Sequence, residues 1–456
     1  MRKLSCLLFA VCAARSLSAQ QSPELQQVIQ RLDRLEAQNR DLMEEIRALR
    51  QQLAAGQPTP APEAAPQTSE AETPPRPIAD RVETAERRIA ELDQSKISSE
   101  HRLPVSLTGM LLFNTFLNGR HSGAADNPTV VPPIGGQASP SQASGGATFR
   151  QSVIGLKVDG PDLIGGGKLT GAVYMDFFGG GTGLNQTVRL RVATLDATWK
   201  NTTLGLAFDK PIISPREPDS LAQVGVSPLT AAGNLWLWQP QVRVEQRISL
   251  TEQAGLRAQF GVYQTAESGT GLSTEYPDLA RARPGYQGRF EFWAKSGSSR
   301  IEIAPGFHLS STRVLGQSVP SRIASIDWLI RPAARVDFTG TFFQGENTGV
   351  IGGLRQGVTI MNGQARAVRA AGGWAQFTFR ATPRASLNIY AGQEDDRNRD
   401  LNLGAIGKNQ GYGANIMYRL GSSILTSFEA SQVRTTYLGS STLVNPHYDL
   451  AFAYLF

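Results

Sequence analysis

Cysteine is nearly absent from this chain. Its 456 residues contain two cysteines, Cys6 and Cys12, and both lie in the first twelve positions. The start has Arg2 and Lys3, then an apolar run over 4–14 and small residues to Ala19. This is the pattern of a secretory signal peptide, predicted over 1–19, although a buried N-terminal helix would also be apolar. Its removal would leave no cysteine, which excludes a disulfide framework and cysteine-bound metal.

Catalytic patterns are also absent. The chain has four histidines, scattered without metal-ligand spacing, and no recognisable Ser/His/Asp arrangement. The glycine clusters at 164–168 and 177–183 lack the strand-to-helix context of a phosphate-binding loop. We therefore predict a protein that is not an enzyme, with no catalytic residue, metal or cofactor. Nucleic-acid binding is not expected, because the basic residues are spread over many segments.

Long hydrophobic runs are missing as well. Beyond the first twenty residues, no apolar run approaches the roughly 18 residues that a membrane-spanning helix needs. This argues against a helical membrane protein. A membrane β-barrel stays open, because alternating strands average to ordinary hydropathy, and the mean here is -0.23.

A heptad repeat follows the predicted leader. Over 20–55, apolar residues recur at a and d spacing, and Asn39 occupies one a position. This predicts an α-helical coiled coil, although a single amphipathic helix packed on a domain would show a similar stripe. The Pro/Ala-rich segment 56–77 predicts an extended linker, and 78–98 a short second coiled-coil helix. A helix isolated in this way favours an oligomer.

The pattern changes to period two after Pro104. In 241–248, Val242, Val244 and Ile248 alternate with Arg243, Glu245 and Arg247, which indicates a strand with one apolar and one polar face. Sixteen such segments begin near residues 105, 149, 168, 188, 202, 239, 254, 285, 300, 321, 334, 372, 385, 411, 423 and 446. Alternation alone also fits a soluble sandwich.

The connections favour a barrel. Short links recur at every second position, and longer loops fall between them, as at 211–238, 347–371 and 395–410. Short turns on one rim and long loops on the other, over an even strand number, are typical of outer-membrane barrels. We therefore predict an all-β fold, a 16-stranded antiparallel transmembrane β-barrel over 104–456, with the coiled coil in the periplasm.

The chain ends on an aromatic strand. Tyr448, Phe452, Tyr454 and Phe456 share one face of the terminal segment. Such an edge would aggregate in water, so we expect it to close the barrel on the first strand and to face lipid. A terminal Phe also resembles the signal read by the barrel assembly machinery.

Residues 188–247 combine the arginine-bearing "VRLRV" strand, a long loop over 211–238, and "QPQVR" at 239–243. This combination resembles the trimeric anion porins, namely the phosphate-selective porins O and P and the DcaP-like dicarboxylate porins, and the resemblance implies that the loop folds inward. DcaP-like members are also similar in having an N-terminal coiled coil before a sixteen-stranded barrel. The resemblance implies a homotrimer. Relatives tend to carry basic residues where this chain has "NLWLW", so its constriction is expected to be less cationic.

Basic residues share the polar strand faces. Over 100–456 the chain has 32 Lys and Arg against 25 Asp and Glu. A charge facing lipid would cost roughly 2–4 kcal/mol at mid-depth, so these faces should line the lumen and favour anions. The predicted pore-lining residues are Lys157, Arg189, Arg191, Arg243, Arg247, Arg257, Arg289, Arg335, Arg380 and Arg419.

The loop 211–238 is the predicted constriction, with Lys210, Arg216, Trp236 and Trp238 as its candidate residues. An external loop whose tryptophans contact other subunits is the alternative.

The sequence thus predicts an outer-membrane diffusion porin of a Gram-negative-type bacterium. Its expected partners are two further copies of the chain, membrane lipid, the assembly machinery and small anionic solutes such as phosphate or dicarboxylates. A barrel that anchors a coiled-coil envelope tether, with incidental permeability, is the alternative.

Overall fold

The computed structural model describes residues 105–120, 126–133, 143–180, 186–264, 283–354 and 356–456. The predicted signal peptide, coiled coil, linker and second helix lie outside these residues. None of the helices in the described part is both long and apolar enough to cross a membrane.

The described chain is built from β-strands joined by turns and two short 3-10 helices. In chain order the strands are β1 (Val105–Asn118), β2 (Ser144–Thr148), β3 (Val153–Leu163), β4 (Gly167–Asp176), β5 (Arg189–Thr198), β6 (Thr202–Asp209), β7 (Gln239–Ser249), β8 (Ala254–Gln264), β9 (Pro284–Ser296), β10 (Ser299–Val314), β11 (Gln317–Ala333), β12 (Val336–Glu346), β13 (Val358–Met361), β14 (Gln364–Ala367), β15 (Arg369–Arg380), β16 (Ala385–Asp396), β17 (Ile406–Arg419), β18 (Ile424–Tyr437) and β19 (Thr442–Leu455).

The strands form one closed antiparallel barrel. Successive barrel strands pair with each other, β12 pairs with β15, and β19 pairs with β1 in the register Met110 to Leu455 through Asn118 to His447. β2 and β3 both pair with β1, so together they form one barrel strand interrupted at 149–152. β13 and β14 form a separate hairpin. The barrel therefore has sixteen strands, which confirms the predicted number and the predicted closure.

The barrel wall has an apolar outer face and a polar inner face. On β7, the outward side chains of Val242 and Val244 are 49% and 41% exposed, whereas the inward side chain of Gln241 on the same strand is only 5% exposed. The same alternation places Phe338, Phe377 and Phe452 outside. A soluble sandwich would bury its apolar faces between its sheets. The exposed apolar face therefore favours the membrane barrel over the soluble sandwich as the meaning of the period-two pattern.

The two rims differ. One rim, the turn rim, carries short connections such as 164–166, 199–201 and 297–298; the opposite one, the loop rim, carries the longer ones such as 210–238. Two connections on the loop rim are shorter than predicted: 315–316 joins β10 to β11, and 438–441 joins β18 to β19. The reason is that these strands continue past their apolar belts, with β10 and β11 reaching 16 and 17 residues.

Candidate functional site

The segment 210–238, here called the inner loop, begins and ends on paired residues of the wall, because Asp209 faces Gln239 across β6 and β7. From there it enters the barrel. Arg216 binds Glu302 and Asp327 on β10 and β11, with 3.0 Å between Arg216 Nε and Asp327 Oδ1. The first part of the inner loop is therefore fixed to the wall several strands from its origin.

The middle of the inner loop contacts a further part of the wall. The Asp219 backbone N–H donates to Gln376 Oε1 on β15 at 2.8 Å, and Ser220 Oγ donates to Glu429 on β18 at 2.6 Å. Next, Asn114 of β1 donates to the Leu221 carbonyl at 2.9 Å. Because β7 and β17 lie on opposite sides of a sixteen-stranded cylinder, a chain that touches both neighbourhoods crosses the lumen.

Gln151 and two arginines hold the next residues. Gln151 Oε1 accepts from the backbone N–H groups of Val224 and Gly225, both at 2.8 Å. Arg191 and Arg189 donate to the carbonyls of the same two residues at 2.8 and 2.6 Å. These partners satisfy backbone groups that would otherwise be buried without hydrogen bonds.

The last part of the inner loop packs on a glycine-lined area of the wall. Gly233 has φ 102, and a Cβ there would lie 2.2 Å from the Gly373 carbonyl oxygen of β15. A Cβ on Gly392 of β16 would lie 2.5 Å from the Ala232 carbonyl oxygen. Leu229 packs beside them in a cluster with Trp374 and Tyr390. Only glycine permits this close approach of loop and strand.

Substitution of Gly392 by Val should therefore displace the inner loop. The added side chain overlaps the Ala232 carbonyl, so we expect larger and more variable single-channel currents in a planar bilayer. Gly421→Ala is the matched control, because a Cβ at Gly421 meets nothing within 4 Å. Currents of Gly392→Val that match those of the control would show that this contact does not position the loop.

Two predicted residues, Arg189 and Arg191, stack on the inner loop. Both pair with the buried carboxylate of Asp176, at 2.7 and 2.8 Å. The guanidinium carbons lie 4.8 and 4.9 Å from the ring centre of Trp238, which is a cation–π arrangement. One carboxylate for two guanidiniums leaves a local excess of positive charge where the loop narrows the lumen.

Arg289 lies at the centre of a second network. It is fully buried, and its guanidinium pairs with Asp327 and Glu291, each at 2.7 Å. Arg257 donates to the same Glu291 at 2.5 Å. Arg216 joins this network from the inner loop. These arginines hold loop and wall together, and a fully enclosed guanidinium such as that of Arg289 does not contact a solute.

The remaining predicted residues lie closer to the turn rim. Arg243 pairs with Asp209 at 2.9 Å, Arg247 with Glu245 at 2.7 Å, and Arg380 with Asp337. Three of the ten predicted residues have no carboxylate partner in the described part of the chain: Lys157, Arg335 and Arg419. Arg335 lies in the turn between β11 and β12, one residue before the strand on which it was predicted. Seven of the ten predicted basic residues are thus ion-paired.

Sequence reasoning missed the acidic side of the lumen. Within the described ranges, the carboxylates away from the turn rim that have no Lys or Arg partner are Asp219, Glu394, Asp396, Glu429 and Asp449. Four of them lie on β16, β18 and β19, opposite the arginines of β5 to β9. Their inward positions could have been read from the same strand parity, since Asp449 alternates with Tyr448 and Leu450.

The entrance to the inner loop carries one ion pair. Lys210 Nζ lies 3.1 Å from Glu217 Oε1. Burial raises the pKa of Glu217, but Lys210, Ser227 and Arg191 outweigh that effect and the pKa is lowered.

Trp236 and Trp238, both partly exposed, contact each other with ring centres 4.5 Å apart. All four predicted constriction residues therefore belong to, or border, the segment inside the barrel.

The terminal aromatic residues face outward. Tyr448, Phe452, Tyr454 and Phe456 are all exposed on the outer wall, and the Phe456 and Gly109 backbones exchange two hydrogen bonds.

No cluster of three or more His, Cys, Asp or Glu suited to a metal ion occurs among the residues described.

The barrel was compared with known proteins. It is similar to the crystal structure of the outer membrane channel DcaP of Acinetobacter baumannii, with 15% identity, a TM-score of 0.60, and coverage of 77% of this chain and 97% of that chain. The porin fold is established by this match. It is also similar to an anion-selective porin from Comamonas acidovorans, at 11% identity and a TM-score of 0.52, over 77% of this chain and 99% of that one.

The resemblance to DcaP-like porins, predicted from residues 188–247, is confirmed at the level of the fold. No family model matches the sequence, and no curated protein matches it.

Proposed function

We propose that this protein is a passive outer-membrane porin, a homotrimeric water-filled channel that favours small anionic solutes such as phosphate or dicarboxylates. The observation that carries the proposal is the inverted wall: exposed aliphatic and aromatic residues outside, and buried polar residues inside a closed cylinder. Such a wall is stable in a bilayer, where lipid covers the apolar belt.

The inner loop supports a selective channel over an open one. A sixteen-stranded barrel without internal segments leaves a wide aqueous lumen. Here the crossing segment narrows that lumen and brings Arg189 and Arg191 to its edge. Charges that line a narrow passage with low-dielectric walls act strongly on permeating ions.

Anion preference depends on an excess of charge, since most arginines are paired. Arg189 and Arg191 share Asp176, and Arg331 and Arg380 share Asp337. Lys157, Arg335 and Arg419 add unpaired charge near the turn rim. The acidic residues Asp219, Glu429 and Asp449 oppose this preference, so we expect it to be moderate.

The wider assembly follows from the sequence. We propose that the coiled coil over 20–55 and the helix over 78–98 lie in the periplasm and stabilise a trimer. The terminal strand, with Tyr448, Phe452, Tyr454 and Phe456, serves the barrel assembly machinery as its recognition segment. The barrel needs neither cofactor nor metal and performs no catalysis.

The test is single-channel recording of the purified full chain in a planar bilayer with a salt gradient. We expect conductance in three coupled steps and a reversal potential on the anion side. A barrel that inserts but never conducts would favour the envelope-tether function instead. A reversal potential on the cation side would contradict the selectivity and leave the porin assignment intact.

A further inference from the structure

One part of the outer wall lacks the bulky belt found elsewhere. On β15 and β16, on the half nearer the loop rim, small residues occupy outward positions, namely Ala371, Gly373, Ala375 and Ala391. They line a cavity of about 800 Å³, here called the outer groove, formed by Trp328, Phe342, Gly373, Ala375, Ala391 and Tyr412. The outer groove is therefore a depression in a wall that is otherwise covered by large side chains.

Strand register explains the depression. Ala375 of β15 lies opposite Ala391 of β16, and Gly373 and Ala371 continue the row of small outward residues along β15. Phe342 faces Gly373 from β12, and Tyr412 faces Ala391 from β17. Two aromatic side chains thus flank a strip about two strands, or roughly 10 Å, wide. These dimensions fit an extended hydrocarbon chain.

Basic residues lie directly above the outer groove, toward the loop rim. A second cavity, of about 610 Å³, is lined by Arg322, Arg369, Arg397, Glu346 and Asp395 among others. Arg434 lines the outer groove itself, beside Gln410 in the register. We call Arg322, Arg369, Arg397, Lys408 and Arg434 the basic rim.

The basic rim carries more charge than its carboxylates neutralise. Lys408 Nζ lies 3.1 Å from Asp395, and Arg322 lies 3.9 Å from Glu346. In the described part of the chain, the guanidiniums of Arg369, Arg397 and Arg434 have no carboxylate partner, and only the backbone N–H of Arg369 donates to a carboxylate, that of Asp400 at 3.3 Å. Guanidiniums without a carboxylate partner on an outward face attract anions, and the planar donor fork of a guanidinium can bind two oxygens of one phosphate.

We propose that the outer groove and the basic rim bind a phosphorylated, acylated glycolipid of the outer leaflet. The phosphates would contact Arg322, Arg369 and Arg434, and one acyl chain would occupy the strip between Phe342 and Tyr412. This proposal depends on the proposed function, because only an outer-membrane barrel places its loop rim in that leaflet. Charge complementarity favours the lipid over a second copy of the chain, because the guanidiniums of Arg369, Arg397 and Arg434 have no carboxylate partner in the described part of the chain and can bind the phosphates.

The test is a titration of the purified full chain in detergent with bisphosphorylated lipid A, read by native mass spectrometry. The variant Arg322→Gln/Arg369→Gln/Arg434→Gln should bind at least about tenfold more weakly, because charge-assisted contacts are removed. The matched control, Lys200→Gln/Lys295→Gln/Arg384→Gln, removes the same charge from the turn rim and should bind as the parent does. A groove-filling variant, Ala391→Phe, should also bind more weakly.

Equal binding by the two triple variants would overturn the proposal. Full displacement by inorganic phosphate, or equal binding of deacylated lipid A, would mean a simple anion site and would also overturn it. An Ala391→Cys variant that crosslinks protomers would assign this face to subunit contact instead. Conductance recorded on the same preparations separates a failure of the lipid site from a failure of the porin function. If the first triple variant conducts and binds lipid A as the parent does, only the lipid site is refuted.

Discussion

Replacing residues 218–234 by a short Gly/Ser link should increase the single-channel conductance at least about twofold, since an unobstructed sixteen-stranded barrel is an open channel. The segment contains the contacts of Asp219, Ser220 and Leu221 with the far wall. The link can close because Asp209 and Gln239 are cross-strand partners. The wall should survive the deletion, because its strands are joined by backbone ladders and the freed polar side chains can bind water.

The matched control removes residues 359–366 from the hairpin β13–β14. This hairpin packs on Val314 and Val319 at the tip of the β10–β11 hairpin, so its loss should leave the conductance unchanged. Recording both variants in one bilayer system separates a loop effect from a general loss of rigidity. If the 218–234 variant folds and conducts like the parent, the inner loop does not set the width of the pore.

Neutralising the arginine pair should shift the selectivity strongly. Arg189→Gln/Arg191→Gln removes two positive charges beside the inner loop, and we expect the anion-over-cation permeability ratio to fall roughly twofold or more. Adding Asp176→Asn removes one negative charge as well, so the triple variant should shift less than the double variant. The measurement is the reversal potential under a salt gradient.

This graded order distinguishes charge from structural damage. Asp176 is fully buried, and leaving it unpaired costs stability, so the triple variant should also be the better folded of the two. Arg399→Gln, an exposed change in the loop between β16 and β17, is the control and should not move the reversal potential. An identical reversal potential in all three would place the selectivity elsewhere.

The fold was predictable because it depends on a local signal. Strand parity, turn residues and connection length all depend on residues that are close together in the sequence. The alternation in "YDLAFAYLF", for example, is enough to predict the strand β19. Element ends were less predictable: β17 begins at Ile406 although its apolar alternation starts near 411. Pairing can continue beyond the membrane belt with any side chain, so the hydrophobic pattern underestimates strand length.

The site was predictable only in part, because pairing depends on distant residues. Arg289 and Asp327 are 38 positions apart, and Arg216 reaches Asp327 across 111 positions. Parity placed Arg289 on the inner face but did not reveal that neighbouring strands supply carboxylates to it. The acidic group around Glu429 was overlooked for the same reason, since its partners Ser220 and Asn415 come from the inner loop and β17.

The central claim is that alternate residues of one strand face water inside the cylinder and lipid outside it. Two single substitutions at neighbouring positions of β7 test this claim, namely Arg243→Cys and Val244→Cys. The chain has no native cysteine after Cys12, so each variant carries one thiol in the barrel. A membrane-impermeant, charged thiol reagent should react with Arg243→Cys and change its single-channel current, and it should leave Val244→Cys unmodified. Equal modification of both positions by the aqueous reagent would contradict the account.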